Sequence, residues 1–506
     1  MATREQIGFI RNARAGKASA QLILGKYYLF GGAGLQKNVL TALYWLHRAA
    51  LRDVEEAWLL IGEHVPFETA TSAPDPMQLC VWYERAFDAG VARAGLVWVR
   101  LLLTRTGTLA EHAMRRKAFA ALETAAASGL VEAQWLLAQE LRNASHAAPR
   151  RETESATAAT AAASAKPIEK GALEWATRAA ANGVLQAQRA LAERAWSMRD
   201  MPAFLNWSAS VARAVVDGSS SAGSSAPLSE KDAALLSRYA RALYETDECD
   251  MDEVERCWEM AAQASDREAQ FALGLWYANM DESGARLSRP ARKSNYRNAI
   301  HWLTMAGEQG VAKAWYALFR IYVRPNTGLT QHSAAEVQRC LERAAEQGHV
   351  AAQLELGKSC WRTRRSKESN DVRAAYWLQK AAAQGDGEAR MLLRTIATCA
   401  TPAQWAQAAH KQFTHDMVNS HPLLAARVEL AGLFGLSLPE ALLLDLNAAD
   451  WGHCLLIDIR SLNAHRKRRL ILIQTGEERL ALTRIARHFA NIDCGVGGPE
   501  GNYRQR

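Results

Sequence analysis

Six of the thirteen histidines, at 410, 415, 421, 453, 465 and 488, fall in the last hundred residues, with Cys454 and Cys494 beside them. Imidazole and thiolate are the common zinc ligands, so His453, Cys454, His488 and Cys494 are the set whose donor chemistry suits a metal. Adjacent positions on a strand point to opposite faces, so His453 and Cys454 do not readily share one ion, and no metal site is expected. The eight cysteines, at 80, 249, 257, 340, 360, 399, 454 and 494, include no Cys-x-x-Cys pair and read as reduced, mostly buried thiols. No phosphate-cradling glycine loop, Gly-x-Ser-x-Gly elbow or His-Glu-x-x-His helix occurs, so no catalytic residue and no cofactor is expected. The remaining chemistry is contact with phosphate, for which Arg466, Lys467, Arg468 and Arg469 supply clustered cations.

Composition sets the frame for these residues. The chain has 506 residues, of which 49 % are hydrophobic and 23 % charged, enough apolar surface to exclude wholesale disorder. The net charge of +8 is a small excess of 61 basic over 53 acidic side chains, so it permits a polyanionic partner without arguing for one. The N-terminal residues lack an apolar signal segment, and no window approaches the roughly 18 continuous apolar residues of a membrane span. No membrane insertion and a cytoplasmic location are expected.

The strongest pattern is internal repetition. AQLILGKYY from Ala20, AWLLIGEHV from Ala57, AQFALGLWY from Ala269 and AQLELGKSC from Ala352 are copies of one segment, with weaker copies from Ala94, Ala133, Ala187, Leu235, Ala314 and Ala389. Six of the nine spacings lie between 34 and 39 residues, which sets the unit. Between these starts a second block recurs, as ALYWLHRAA from Ala42 and AAYWLQKAAAQG from Ala374. Ala42, Trp45 and Ala49 are three and four apart, so they share a helical face, and each repeat reads as helix, loop, helix. Gly90, Gly129, Gly183, Gly310, Gly348 and Gly385 end the second helices and are expected in the left-handed conformation. In all six the next alanine follows four residues later, and a turn of constant length fixes the angle between repeats. Gly25, Gly62, Gly274 and Gly357 sit inside helices, where a close helix crossing would justify a residue about 1 kcal/mol worse than alanine. Tryptophans 45, 82, 175, 207, 258, 302 and 377 occupy one slot of the second helix and read as core wedges.

These motifs, a small-xxx-Leu-Gly-xx-Tyr first helix and an Ala-xx-Trp second helix closing on Ala-Ala-xx-Gly, resemble the Sel-one-like repeat family, a relative of the tetratricopeptide repeats. The resemblance spans about residues 15–400. It implies an all-α repeat fold, a right-handed α-solenoid of helix-turn-helix units, working as a bacterial adaptor that binds a protein partner on its concave surface. It implies no catalytic residues. First helices of such a superhelix face inward, so Lys26, Tyr27, Trp276, Arg320 and Lys358 are the expected partner contacts.

Three insertions interrupt the array. Asn143–Lys170 and Asp217–Ser229 carry almost no large apolar side chain and are expected to be disordered; a third, charged one covers 281–294. The first and third are expected between the first and second helices of a repeat, and so is the second if the segment around Trp207 forms a repeat. Residues 1–400 then form the solenoid and 401–506 a small α+β module. In that module Thr401 and Pro402 open a helix, Pro422–Leu433 forms another, and Ser437 with Glu440 makes a capping box. His453–Arg460 and Arg469–Gln474 read as strands, and Glu477–Phe489 as a last helix. Three helices before a basic hairpin resemble a winged-helix DNA-binding module in element order alone. The would-be recognition helix carries Glu440 and Asp445 and no cation, which disfavours phosphate. The module is therefore read as a cap on the last repeat. The alternative is a nucleic-acid-linked regulator that uses Arg466, Lys467, Arg468 and Arg469.

Overall fold

Side-chain packing between paired helices builds the molecule. The computed structural model describes residues 4–32, 34–106, 114–147, 158–221, 228–246, 249–287, 293–324, 334–459 and 468–494. It divides into two compact units, Met1–Cys257 and Trp258–Arg506. The first unit opens with α1 (Arg4–Arg14), followed by α2 (Ala18–Phe30) and α3 (Val39–Ala50), then α4 (Glu55–His64), the short α5 (Phe67–Thr71) and α6 (Pro76–Asp88). It continues with the pairs α7 (Ala92–Thr106) and α8 (Arg115–Ala127), α9 (Val131–Ala147) and α10 (Ala158–Ala181), α11 (Leu185–Ser197) and α12 (Met201–Ser221), and then α13 (Glu230–Tyr244). The boundary divides α14 (Met251–Gln263). The second unit pairs α15 (Arg267–Ala278) with α16 (Tyr296–Glu308), α17 (Ala312–Tyr322) with α18 (Ala334–Glu346), and α19 (Val350–Arg362) with α20 (Asn370–Ala383), and adds α21 (Gly387–Ile396).

The six turn glycines all have left-handed backbone, with φ between 88° and 96°. At Gly348 the amide bonds the Ala345 carbonyl and the His349 amide bonds Ala344, and the same pair of bonds closes the turns at Gly90, Gly129, Gly183, Gly310 and Gly385. Asp53 and Ser265 hold the same turn with φ of 56° and 67°, so glycine is favoured there but not obligatory. The alanines four residues after the glycines are fully buried. At Gly25, Gly274 and Gly357 an added Cβ would lie 2.6–2.8 Å from Leu46, Leu303 and Leu378, the residues following Trp45, Trp302 and Trp377. The crossing is thus too close for any side chain. Of the slot tryptophans, 45, 82, 258 and 377 are buried and 175, 207 and 302 half-buried.

The residue after the buried alanine supplies a connection that the repeat motif alone does not announce. Gln21, Gln134, Gln188, Gln270 and Gln353 each donate Nε2 to a carbonyl eight residues back, on Ala13, Ala126, Ala180, Ala262 and Ala345, at 2.8–3.3 Å. That carbonyl also takes the turn amide, so both its lone pairs are used. In the α17 repeat Trp315 stands in this place and its Nε1 bonds Gly307 at 2.9 Å. The amide oxygens of Gln134, Gln270 and Gln353 accept in turn from Asn182, Gln309 and Gln384, each at 2.9 Å and each just before the next turn glycine.

After α21 no second helix follows. The chain forms β1 (Ala397–Cys399), α22 (Gln404–His410), α23 (His415–Ser420), α24 (Pro422–Phe434), α25 (Leu438–Leu443), α26 (Leu446–Ala449), β2 (Cys454–Ile457), β3 (Arg469–Leu472) and α27 (Gly476–Phe489). The sheet order is β1-β3-β2, with β1 parallel and β2 antiparallel to β3. Leu378 and Leu393 of the last repeat share a core with Cys454, Leu470 and Leu472 of the sheet. Leu482, Ile485 and Phe489 close a separate core with α24.

Several expectations change. The Asn143–Lys170 insertion is helical at both ends, through α9 to Ala147 and α10 from Ala158, and only 148–157 lie outside the described residues. Alanine-rich sequence next to packed helices extends them, because alanine is the best helix former. The 217–229 segment likewise begins inside α12 and ends at Ser229, the N-cap of α13; 222–227 lie outside the described residues. It joins a second helix to the next first helix, so it lies between repeats and not within one. In the third insertion Met280 pairs with Arg286, so that loop begins as a short bridge. Thr401 and Pro402 do not start a helix; Ala403 is the N-cap of α22. The sheet crosses the expected 400/401 boundary because β1 precedes it.

Two outcomes test this account. Gly357→Ala raises helix propensity but drives a methyl into Leu378, so stability should fall by about 1–3 kcal/mol in denaturant unfolding; a gain would refute the close crossing. His349 caps α19 through Nδ1, accepting from the Ala352 amide at 3.2 Å. Burial, then the nearby Lys313, lowers its pKa, so the neutral ring is favoured in the folded state. Its contribution is complete above the ordinary value of about 6.5 and is lost as pH falls through the lowered folded value. His349→Asn, which caps without titrating, should therefore lose less melting temperature than wild type between about pH 7.5 and 5.5. Parallel losses would show that His349 titrates freely.

Candidate functional site

Helix periodicity decides which first-helix side chains meet solvent. Counting from the buried alanine, the positions one before and six after share a face. Lys26 ion-pairs with Glu56, Arg100 with Glu132 at 2.9 Å, and Lys358 with Glu388 at 2.7 Å. In each case a base six after one alanine meets an acid one before the next. This ladder runs from first helix to first helix. Its exposed pairs contribute little each, about 0–1 kcal/mol, so they set alignment more than stability.

In the first unit three clefts share lining residues; two open along this face, and the third is bounded by α10 as well. One of about 410 Å³ is lined by Phe67, Arg93, Val97, Arg100 and Glu132. The next, about 570 Å³, shares Arg100 and Glu132 and adds Trp135, Leu185 and Gln186. The third, about 250 Å³, shares Trp135 with the second and adds Arg142, Leu173 and Arg194. Phe67 lies beneath the Arg100 guanidinium, 4.0 Å from ring centre to Cζ. The Trp135 indole donates to the Gln186 amide oxygen at 3.0 Å, which fixes the half-buried ring on the groove wall. Leu185 is 46 % exposed. Arg93, Arg142 and Arg194 are exposed and make no ion pair among the described residues.

The expected contacts separate by position. Lys26, Arg320 and Lys358 occupy the solvent-facing slot six after the alanine. Lys26 and Lys358 are engaged in the ladder, whereas Arg320 is exposed, because Ala351 stands where its acid would be. Tyr27 and Trp276 lie one residue further, about 100° around the helix. Tyr27 is half-buried, its ring edge-on to Phe9 at 6.2 Å, and Trp276 is buried edge-on to Trp258 at 6.0 Å. Trp276 is therefore a packing residue, and its place among the partner contacts is corrected. Trp135, Arg93, Arg142 and Arg194 were missed. The fixed offset between ladder acids and bases, visible on aligning the copies, is the signal that would have located Arg93, one before Ala94.

In the C-terminal module the basic cluster serves internal contacts. Arg468 forks onto Asp371 at 2.7 Å, pairs with Asp458 at 2.9 Å and reaches the Glu368 carbonyl. Arg469 holds Glu440 at 2.8 Å and the Gly435 carbonyl at 3.0 Å. Both are withdrawn from phosphate, which corrects their assignment to nucleic-acid contact; Arg466 and Lys467 lie outside the described residues. His453 Nε2 lies 3.1 Å from the Val372 carbonyl and 3.5 Å from Cys454 Sγ, closer than strand alternation suggests, because β2 begins only at Cys454. Among the described residues no group of three or more His, Cys, Asp or Glu side chains could hold a metal ion. The eight cysteines are unbridged, and burial pushes the Cys80 and Cys340 thiols to about 11 and those of Cys257 and Cys454 to about 12. None of these four is an activated nucleophile.

The Sel1 repeat family model matches residues 18–54, 168–184, 267–311, 338–349 and 350–386. No curated protein matches the chain. Among solved structures, the chain is similar to a protective antigen of uropathogenic Escherichia coli strains displaying an SLR fold, at 18 % identity and a TM-score of 0.40, over 95 % of this chain and 93 % of that one. It is also similar to a Sel1 repeat protein from Oxalobacter formigenes, at 20 % identity and a TM-score of 0.36, over 65 % and 93 %. With matched segments in both units and the turn geometry to go with them, the chain carries Sel1 repeats.

Proposed function

We propose that this chain is a non-catalytic scaffold that holds a protein partner on the first-helix face, with the groove of the first unit as its principal contact. Sel1 repeat proteins are generally interaction scaffolds. The observation that carries the reading is the continuity of the three clefts, where a half-buried tryptophan, an exposed leucine and unpaired arginines are presented by helices already held in register. Such side chains are the usual anchors of protein interfaces. Residues 401–506 act as a cap: the sheet covers α20 and α21, and Gln379 bonds the Ile473 carbonyl at 3.2 Å. No described helix is long and apolar enough to cross a membrane; a cytoplasmic location is our reading, supported by the unbridged thiols, which suit a reducing compartment. The nucleic-acid reading loses Arg468 and Arg469 to internal pairs.

The test is affinity capture with mass spectrometry on the full chain. Trp135→Ala combined with Leu185→Asp should lose the captured partners while circular dichroism and melting are kept. Arg466→Ala with Lys467→Ala should retain them. The opposite pattern would move the function to the hairpin and overturn the scaffold reading.

A further inference from the structure

The charges left unpaired in the groove say which kind of partner segment it fits. Arg100 pairs with Glu132 and, at 3.5 Å, with Glu68, so this centre has one carboxylate in excess of its guanidinium. Around it Arg93, Arg142 and Arg194 project unpaired guanidinium groups against one unpaired carboxylate among the described lining residues, that of Glu169. Between the cations lie apolar surfaces: Phe67, the Trp135 ring and exposed Leu185. Guanidinium groups pair with carboxylates through two parallel hydrogen bonds, which favours a chain bearing Asp or Glu. The carboxylates of Glu68 and Glu132 at the centre would repel a continuous polyphosphate, whereas a peptide can place an uncharged side chain there.

We propose that the groove across α7, α9 and α11 binds an extended acidic peptide segment of a partner protein, with one large apolar side chain seated between Trp135 and Leu185. Two helix-to-helix steps of about 8–10 Å each give a span of roughly 20 Å. That is filled by about six extended residues at about 3.3 Å apiece. The proposal rests on the scaffold reading and adds the chemistry of the segment.

The test is fluorescence anisotropy on the full chain with a labelled synthetic octapeptide of Asp and Glu around a central Leu-Trp pair. Comparison probes are the same peptide with Lys for each acid, an all-acid peptide without the apolar pair, and a single-stranded oligothymidylate. The acidic apolar peptide should bind at least tenfold more tightly than any of the three. Arg142→Glu with Arg194→Glu should weaken it at least tenfold, Arg142→Gln with Arg194→Gln less, and Trp135→Ala about thirtyfold, an effect of the size expected for an interface anchor. Unchanged binding in the charge-reversed variant overturns the site. Equal binding of the all-acid peptide or the oligothymidylate overturns the apolar seat in favour of general polyanion binding. If no peptide binds while the Trp135→Ala, Leu185→Asp variant still loses captured partners, the acidic class is overturned and the scaffold reading stands.

Discussion

A buried glutamine amide at the start of the first helix is the contact on which the array depends. Leaving such a group unsatisfied costs about 1–3 kcal/mol; the donor is satisfied in each of the five repeats that carry it, whereas the Gln21 amide oxygen has no partner among the described residues. Its donor reaches the carbonyl of the turn behind it, and in three repeats its acceptor takes a side chain from the turn ahead. One side chain therefore measures the distance between successive turns. Packing of alanine against alanine is nearly featureless and would tolerate sliding; the directional amide does not. In two of the repeats that lack the glutamine a tryptophan stands in its place. Trp315 donates from its indole, and in the α4 repeat Trp58 stacks on Trp82 with ring centres 6.2 Å apart.

That register is what makes the first-helix face a surface. Because each repeat is set relative to the last, the residue six after one alanine approaches the residue one before the next in three places along the chain. The charges there either cancel, as with Lys358 and Glu388, or remain free, as with Arg320 opposite Ala351. The repeat spacing thus decides which positions face solvent, and the identity of two residues per repeat decides whether a charge is available to a partner.

The repeat was legible in sequence because its signals are local. Glycine at a left-handed turn, alanine at a zero-exposure contact and glycine under a leucine each leave a residue type that little else explains. The capping box at Ser437 and Glu440 and the apolar stripe of α27 were readable for the same reason. What escaped depends on distant chain. Ala397–Cys399 has no strand pattern of its own and becomes β1 only because β3 offers an edge. Arg468 and Arg469 look like solvated charges until Asp371 and Glu440 are brought to them. Trp276 differs from the solvent-facing slot by one residue, and a single step around a helix exchanges surface for core. The groove itself is a property of three neighbouring helices and has no signature within any one of them.

The way the array stops gives the protein a polarity. At α21 the residue after the buried alanine is Arg390, exposed and without an amide, and the chain turns into a strand where a second helix would begin. The sheet then takes the side of α20 and α21 that a further helix pair would need. Lengthening by duplication is therefore possible upstream, where each copy brings its own glutamine and turn, and is blocked downstream of α21. The last repeat is committed to its neighbour in a way that the interior ones are not, so a chain of this design grows from within, like a zipper lengthened ahead of its stop.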